Sequence, residues 1–322
     1  MTTELIRTYP GVAGFPLPAV LVASGEDAIR RFVEFFTATI RNPHTRAAYA
    51  RAVSGFLDWC DARGVDRLER IGPVVVAAWV EELQWSRSAP TIKQHLAAVR
   101  VLFDWLVTGH IVSVNPAASV RGPRHIVKKG KTPVLTADEC RRLLLNIDTS
   151  TISGLRDRSL IGIMVYSFAR VSATVGMNVG DFYPSGTRWM IRLHEKGGKF
   201  HEVPAHHRAA EFAHAYIAAA GIGPDHRSPL FRSLDRNRRL TRDRLTRGDV
   251  LRMVKRRAAA AGLPTRITCH TFRATGITAY LEAGGTLEHA QAIAAHESPR
   301  TTRLYDRRAD TLTLDEIERI QI

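Results

Sequence analysis

The sequence predicts a mainly α protein with a small β-hairpin or sheet, an α+β chain of two domains. Three observations lead there. Apolar residues recur at helical spacing over most of the chain, a Pro/Gly-rich basic stretch interrupts them near residues 115–134, and one short pair of alternating segments flanks Gly197 and Gly198. The length of 322 residues is about twice that of a usual single domain, and 45% hydrophobic content is enough for two cores.

The first helical domain is expected over residues 26–114, after an amino-terminal extension, residues 1–25. Tyr49, Val53, Phe56, Leu57 and Cys60 share one helix face, and Ile92, Leu96, Val99, Phe103 and Leu106 share another. Gly64 closes one helix, Pro73 opens the next and Pro90 lies at the start of the last. Polar faces here carry Arg41, His44, Arg46, Arg51, Lys93 and Arg100, a charge set that is ordinarily a solvated surface. In residues 115–134, Pro116, Gly122, Pro123, Gly130 and Pro133 exclude a regular element. Arg121, Arg124, Lys128, Lys129 and Lys131 make this linker cationic, suited either to solubility or to tracking phosphates.

A second domain is expected over residues 135–311. Thr136 and Glu139 form a T-x-x-E capping box, followed by helical spacing through Leu143, Leu144 and Ile147. A helix is expected from Leu155 to Ala169, then strands over Trp189–Leu193 and Phe200–Val203, and helices again from Arg208. The helix from Thr246 to Ala261 is capped by Thr246 with Asp249 and carries Arg252, Lys255, Arg256 and Arg257. At the end, residues 312–322 form a short amphipathic helix, with Thr313 as cap and Leu314, Ile317 and Ile320 on one side. So short a helix needs a surface to pack on, its own domain or a neighbouring protomer.

The formal charge of +15 points to a polyanionic partner, with nucleic acid first. No apolar run approaches the roughly 20 residues that span a bilayer, and neither a secretion signal nor a lipidation motif is legible. A cytoplasmic, nucleoid-associated protein is therefore expected, with no membrane partner. Cys60, Cys140 and Cys269 are odd in number and lie in apolar or helical settings, as reduced buried thiols do, and their spacing fits no zinc site. Neither a P-loop nor an acidic metal cluster is evident, so no metal and no cofactor are expected.

The residues that bear chemistry are scattered. His270 and Arg273 stand three apart on a helical stretch, and His296 precedes Tyr305 by nine positions. Arg170 follows a long apolar segment and Lys196 sits at the hairpin tip. Singly, each has an ordinary structural reading: a salt bridge for Arg170, a solvated turn for Lys196, a core position for Tyr305.

Together, the order and spacing of Arg170, Lys196, His270-x-x-Arg273, His296 and Tyr305 resemble the tyrosine recombinase and phage integrase family, with its Xer-like and mobile-element members. Leu135-Thr136, Lys196-Gly197-Gly198-Lys199, Val203-Pro204 and Thr301-Thr302 strengthen the likeness, which covers the chain from residue 26 to the end. The resemblance implies an N-terminal core-binding (SAM-like) domain and a C-terminal catalytic domain that clamp double-stranded DNA in a C shape, with a homotetramer assembled on two duplexes. It also implies that residues 312–322 are exchanged between protomers. The implied activity is that of a site-specific recombinase or integrase that cleaves and rejoins strands through a 3′-phosphotyrosyl intermediate, independently of metal and ATP. A type IB topoisomerase-like enzyme and a DNA-binding protein with a degenerate site are the alternatives.

The chemistry suits the residue types. Two guanidiniums, Arg170 and Arg273, can receive the charge developing on the non-bridging phosphate oxygens. Tyr305 is the nucleophile, with the cationic pocket and His270 assisting loss of its proton, and Lys196 is the general acid for the leaving 5′ oxygen. His296 steadies the phosphate. Lys199, across the same turn, is the runner-up for the general-acid role and is otherwise expected to touch a phosphate, as are Arg46, Lys93, Arg121, Arg124, Lys128, Lys129, Arg252, Lys255 and Arg256.

The chain also departs from the family pattern. Phe168 stands where the family usually has glycine two residues before the first arginine, Ala173 where it has an acid three residues after, and Ala294-Ala295 where it has Leu-Gly. Two outcomes stay open: a weakened site, or a carboxylate supplied from elsewhere in the chain.

Overall fold

The computed structural model describes residues 17–125, 130–195, 200–264 and 266–306. The expected helix at residues 312–322 lies outside them, as do Lys128, Lys129, Lys196 and Lys199. The chain divides into two compact units, residues 1–126 and 127–322.

The first unit is helical: α1 (Ala19–Ala23), α2 (Glu26–Glu34) continuing into a π turn at Phe35–Thr39, α3 (Pro43–Asp61), α4 (Pro73–Leu83) and α5 (Ala89–Thr108). Each start has a chemical cause. Asn42 accepts hydrogen bonds from the amides of His44 and Thr45 to cap α3, and Pro43, Pro73 and Pro90 occupy first-turn positions where no amide partner is lost. The two predicted apolar faces meet in one core, where Phe56 packs against Trp79 at 4.8 Å and Phe103 at 6.4 Å between ring centroids. Helix α1 was not foreseen. The Asp61 carboxylate accepts its first amides, Ala19 and Val20, each at 2.9 Å, and Val20 and Leu21 are wholly buried in that core.

The second unit contains α6 (Ala137–Leu145), α7 (Ile152–Tyr166), α8 (Val171–Gly176), β1 (Phe182–Ser185), β2 (Arg188–His194), β3 (Phe200–Pro204) and α9 (His207–Ala220). It continues with β4 (Arg232–Leu234), β5 (Leu240–Arg244), α10 (Arg247–Ala260), α11 (Cys269–Glu282), α12 (Leu287–Ala294) and α13 (Pro299–Arg303). Both predicted capping boxes form, Thr136 with Glu139 and Thr246 with Asp249. The predicted strands pair antiparallel, Ile191 opposite Val203, and β1 adds a third strand on the outer side of β2.

Helix α7 is the buried axis of this unit. It buries not only Leu160, Ile161, Ile163 and Met164 but also Asp157, whose carboxylate takes hydrogen bonds at 2.8 Å from both Arg156 and Arg257. That pairing satisfies a charge that burial would otherwise penalise heavily. Helix α11 crosses α7 so closely that a Cβ on Gly276 would lie 2.0 Å from the Val165 carbonyl oxygen and 2.8 Å from the Phe168 ring. The close approach sets where α11 presents its side chains relative to the segment after α7.

Gly276→Ala is therefore expected to destabilise the second unit by about 1–3 kcal/mol, the usual cost of overpacking. A lower urea midpoint at unchanged slope is the readout, and an unchanged midpoint would show that the crossing relaxes freely.

Candidate active site

The site is assembled around Arg273, which is 1% exposed. From the second turn of α11 its Nη1 donates to the Phe168 carbonyl and its Nη2 to the Ala294 carbonyl, the latter at 2.5 Å. One guanidinium thus ties the segment just before Arg170 to the segment just before His296. Its Nε is buried with no hydrogen-bond partner within the protein. Burial first, then the Arg170 charge, lowers its pKa to about 10, which still leaves it a cation at neutral pH.

His270, one turn earlier on α11, keeps a solvent-exposed side, and its Nε2 lies 2.8 Å from the Tyr305 hydroxyl. Desolvation, then the charges of Arg273 and Arg170, lowers the His270 pKa, so the ring is neutral and able to accept a proton. Tyr305 follows α13 and is 7% exposed. Thr278 donates to its carbonyl at 3.1 Å, and the His296 ring lies parallel to its ring, 5.9 Å away between centroids. The backbone before Tyr305 is held as well, for the Gly130 amide donates to the Leu304 carbonyl at 3.1 Å.

His296 is 7% exposed, and its Nδ1 is 2.9 Å from the Thr302 hydroxyl. Burial, reinforced by Arg273, Arg170 and His270, pulls its pKa to about 3. Arg170 stands at the residue just before α8, and its Nη1 is paired with the Glu195 carboxylate at the end of β2. Its charge acts on Arg273, His270, His296 and Tyr305 alike, which places all five in one electrostatic neighbourhood.

The cations act on Tyr305 in the expected direction, Arg273 and Arg170 both pulling its pKa down, but burial outweighs them and the net shift is upward. The phenol is held protonated in the DNA-free protein.

The departures at Phe168 and Ala295 acquire a physical meaning. Phe168 has φ +54° and Ala295 φ +47°, the left-handed region in which a side chain is strained and glycine is not. Phe168 is nonetheless buried, packed edge-on against Tyr280 at 6.0 Å between centroids. Ala295 ends α12 in the left-handed cap that turns the chain into His296.

Sequence reasoning missed Glu195, Thr302 as partner of His296, and the two carbonyls that hold Arg273. Glu195 gave one faint signal, an acid beside the hairpin lysine. Among the residues expected to touch DNA, Arg46 spends its guanidinium on the Ile40 carbonyl at 2.9 and 3.0 Å. Lys93 and Arg121 line an open cleft of about 700 Å³ in the first unit, whose wall is fixed by Arg100 donating to the Ala117 and Val120 carbonyls. Arg124 is exposed, Arg252 pairs with Asp249, Arg256 lies 3.7 Å from Asp157, and Lys255 is exposed on α10. The three cysteines are free and buried, with pKa values pushed up to about 12 for Cys60 and about 11 for Cys140 and Cys269. Among the described residues, no helix is long and apolar enough to cross a membrane, and no group of His, Cys, Asp and Glu is arranged to hold a metal ion.

The phage integrase family model matches residues 133–311, more than half of the chain, and that of the phage integrase N-terminal SAM-like domain matches residues 29–110. The chain belongs to the phage integrase family. Its relatives include tyrosine recombinase XerC of Pelobacter propionicus, 30% identical over 267 residues, 82% of this chain and 84% of that one. Tyrosine recombinase XerD of Bifidobacterium longum is 29% identical over 275 residues, 81% of this chain and 85% of that one. The fold is shared with XerH site-specific recombinase bound to a palindromic difH substrate in a post-cleavage complex, with TM-score 0.71 and 18% identity, covering 99% of this chain and 94% of that one. It is shared too with a lambda integrase dimer bound to a COC′ core site, with TM-score 0.66 and 19% identity over 97% of this chain and 87% of that one. This phage integrase family member is accordingly a tyrosine recombinase, an enzyme of DNA strand cleavage and rejoining. Neither the topoisomerase-like nor the binding-only alternative gains support from these similarities.

Two consequences for stability follow. Unfolded, His296 titrates near 6.5, whereas in the native protein it resists protonation until about pH 3. The unfolded chain binds the extra proton between those values, so stability is full above the window and falls as pH drops through it. The urea unfolding free energy should decline from about pH 7 to about pH 5, and less steeply in His296→Asn. Ala295→Gly should stabilise the protein by about 0.5–1 kcal/mol, the left-handed strain relieved less the entropy glycine adds to the unfolded chain, read as a raised Tm.

Proposed function

We propose that this chain is a site-specific DNA recombinase or integrase in which Tyr305 attacks the scissile phosphorus of double-stranded DNA. The observation that carries this reading is the 2.8 Å contact between the Tyr305 hydroxyl and a neutral His270, beside two guanidiniums. The Tyr305 oxygen forms the new P–O bond while its proton passes to His270 Nε2. The bond from phosphorus to the 5′ oxygen breaks, and Lys196 supplies the proton that makes a 5′ hydroxyl. The product is a 3′-phosphotyrosyl ester, which conserves the bond for attack by a hydroxyl of another strand.

Arg170 and Arg273 receive the charge on the non-bridging oxygens. Two N–H groups of Arg273 are engaged by carbonyls, and of its five donors the buried Nε–H is the one most in need of an acceptor, which a phosphate supplies. With Nδ1 of His296 engaged by Thr302, its Nε2 remains for the phosphate. Duplex backbone contacts come from Lys93, Arg121 and Arg124 of the first unit and from Arg252, Lys255 and Arg256 of α10, with Lys128, Lys129 and Lys199 adding charge. Four protomers on two duplexes, with residues 312–322 passed between neighbours, is the assembly this reading entails in a cytoplasmic, nucleoid-associated protein.

The test is a nicked suicide duplex that carries the target site. Wild type should form a covalent adduct that survives denaturing electrophoresis. Tyr305→Phe should abolish it, with DNA affinity within about fivefold, since one lost hydroxyl hydrogen bond costs on the order of 1 kcal/mol. An adduct of undiminished yield in Tyr305→Phe would assign the nucleophile elsewhere.

A further inference from the structure

The Glu195 carboxylate is a buried anion at the end of β2, 8% exposed in its side chain, and Arg170 is the cation it pairs with. Burial makes such a carboxylate costly without a partner and its hold on that partner correspondingly strong. Arg170 is the opposite kind of group. Its side chain is 38% exposed, and its guanidinium is held by the Glu195 carboxylate.

A second problem meets at the same place. Arg170 and Arg273 bring two positive charges together where burial weakens solvent screening, and each disfavours the other. The carbonyls that hold Arg273 contribute no net charge, whereas the Glu195 charge favours the Arg273 cation. One carboxylate therefore serves both arginines.

We propose that Glu195 is a positioning residue for strand cleavage: from the end of β2 its buried carboxylate orients the Arg170 guanidinium toward the scissile phosphate and offsets the repulsion between Arg170 and Arg273. Glu195 touches no reacting atom and acts through Arg170. In sequence it directly precedes Lys196, so the strand end that leads to the general acid is also the one that holds the first arginine. The inference rests on the reading of Tyr305 as nucleophile.

Single-turnover adduct formation on the suicide duplex, followed against DNA concentration, separates positioning from binding. Glu195→Gln keeps shape and removes charge. It should lower the maximal rate by about 10- to 100-fold, the scale on which a misplaced catalytic group loses rate. The half-saturating DNA concentration should change by less than about twofold, because Arg170 still neutralises phosphate. Glu195→Asp should recover part of the rate, and the Tm of Glu195→Gln should not account for the loss. An unchanged maximal rate overturns the proposal, and a faster one would show that Glu195 competes with the phosphate for Arg170. A loss confined to DNA affinity, or one that Asp does not restore and that tracks unfolding, also overturns it. Absence of any adduct with wild type would instead remove the Tyr305 reading on which this one stands.

Discussion

A guanidinium with almost no access to water is the constraint around which this site is organised. Arg273 cannot shed its proton at neutral pH even with its pKa drawn down to about 10, so the fold must supply acceptors. It does so with two main-chain carbonyls, Phe168 and Ala294, from segments distant in sequence. Both are pulled to α11, and what lies just beyond each, Arg170 and His296, is thereby delivered beside His270. The charge that suits the enzyme to a phosphodiester is also the device that collects its other side chains.

The same constraint explains why strain is tolerated where it is. To offer its carbonyl inward, the chain at Phe168 takes a left-handed turn, and at Ala295 it takes another just before His296. Neither residue is suited to that conformation, at a cost of roughly 1–2 kcal/mol for a non-glycine residue. Phe168 offsets part of this by burying its ring against Tyr280. Local backbone preference has been overruled by the demands of a buried cation, in keeping with the tendency of strain to gather at functional sites.

What the sequence revealed and what it hid divide along physical lines. Helix faces such as Val53, Phe56 and Leu57, and caps such as Thr136 with Glu139, rest on spacings within one turn and were legible. The site residues Arg170, His270, Arg273, His296 and Tyr305 were legible as an ordered set through family likeness, without which each had a bland reading. Strand β1 escaped because Pro184 argues against a strand, yet a proline is at home on an edge. The β4–β5 hairpin escaped because Arg232, Arg242, Asp243 and Arg244 carry no apolar alternation. Helix α1 depends on Asp61, 42 residues from Ala19, and Glu195 meets Arg170 across 25 residues. Pairings of that range leave no periodic trace. The upward net shift of Tyr305 was hidden for a related reason: the pull of nearby cations can be foreseen from sequence, whereas the larger effect of burial needs coordinates.

The hydrogen bond from Gly130 to the Leu304 carbonyl gives the basic linker a second meaning. A Cβ at Gly130 would come within 2.6 Å of that oxygen, so the backbone at residue 130 lies flush against the peptide that precedes Tyr305. Any side chain at residue 130 would have to push on the peptide one residue before the phenol, so the smallness of this position helps to set where the Tyr305 hydroxyl comes to rest.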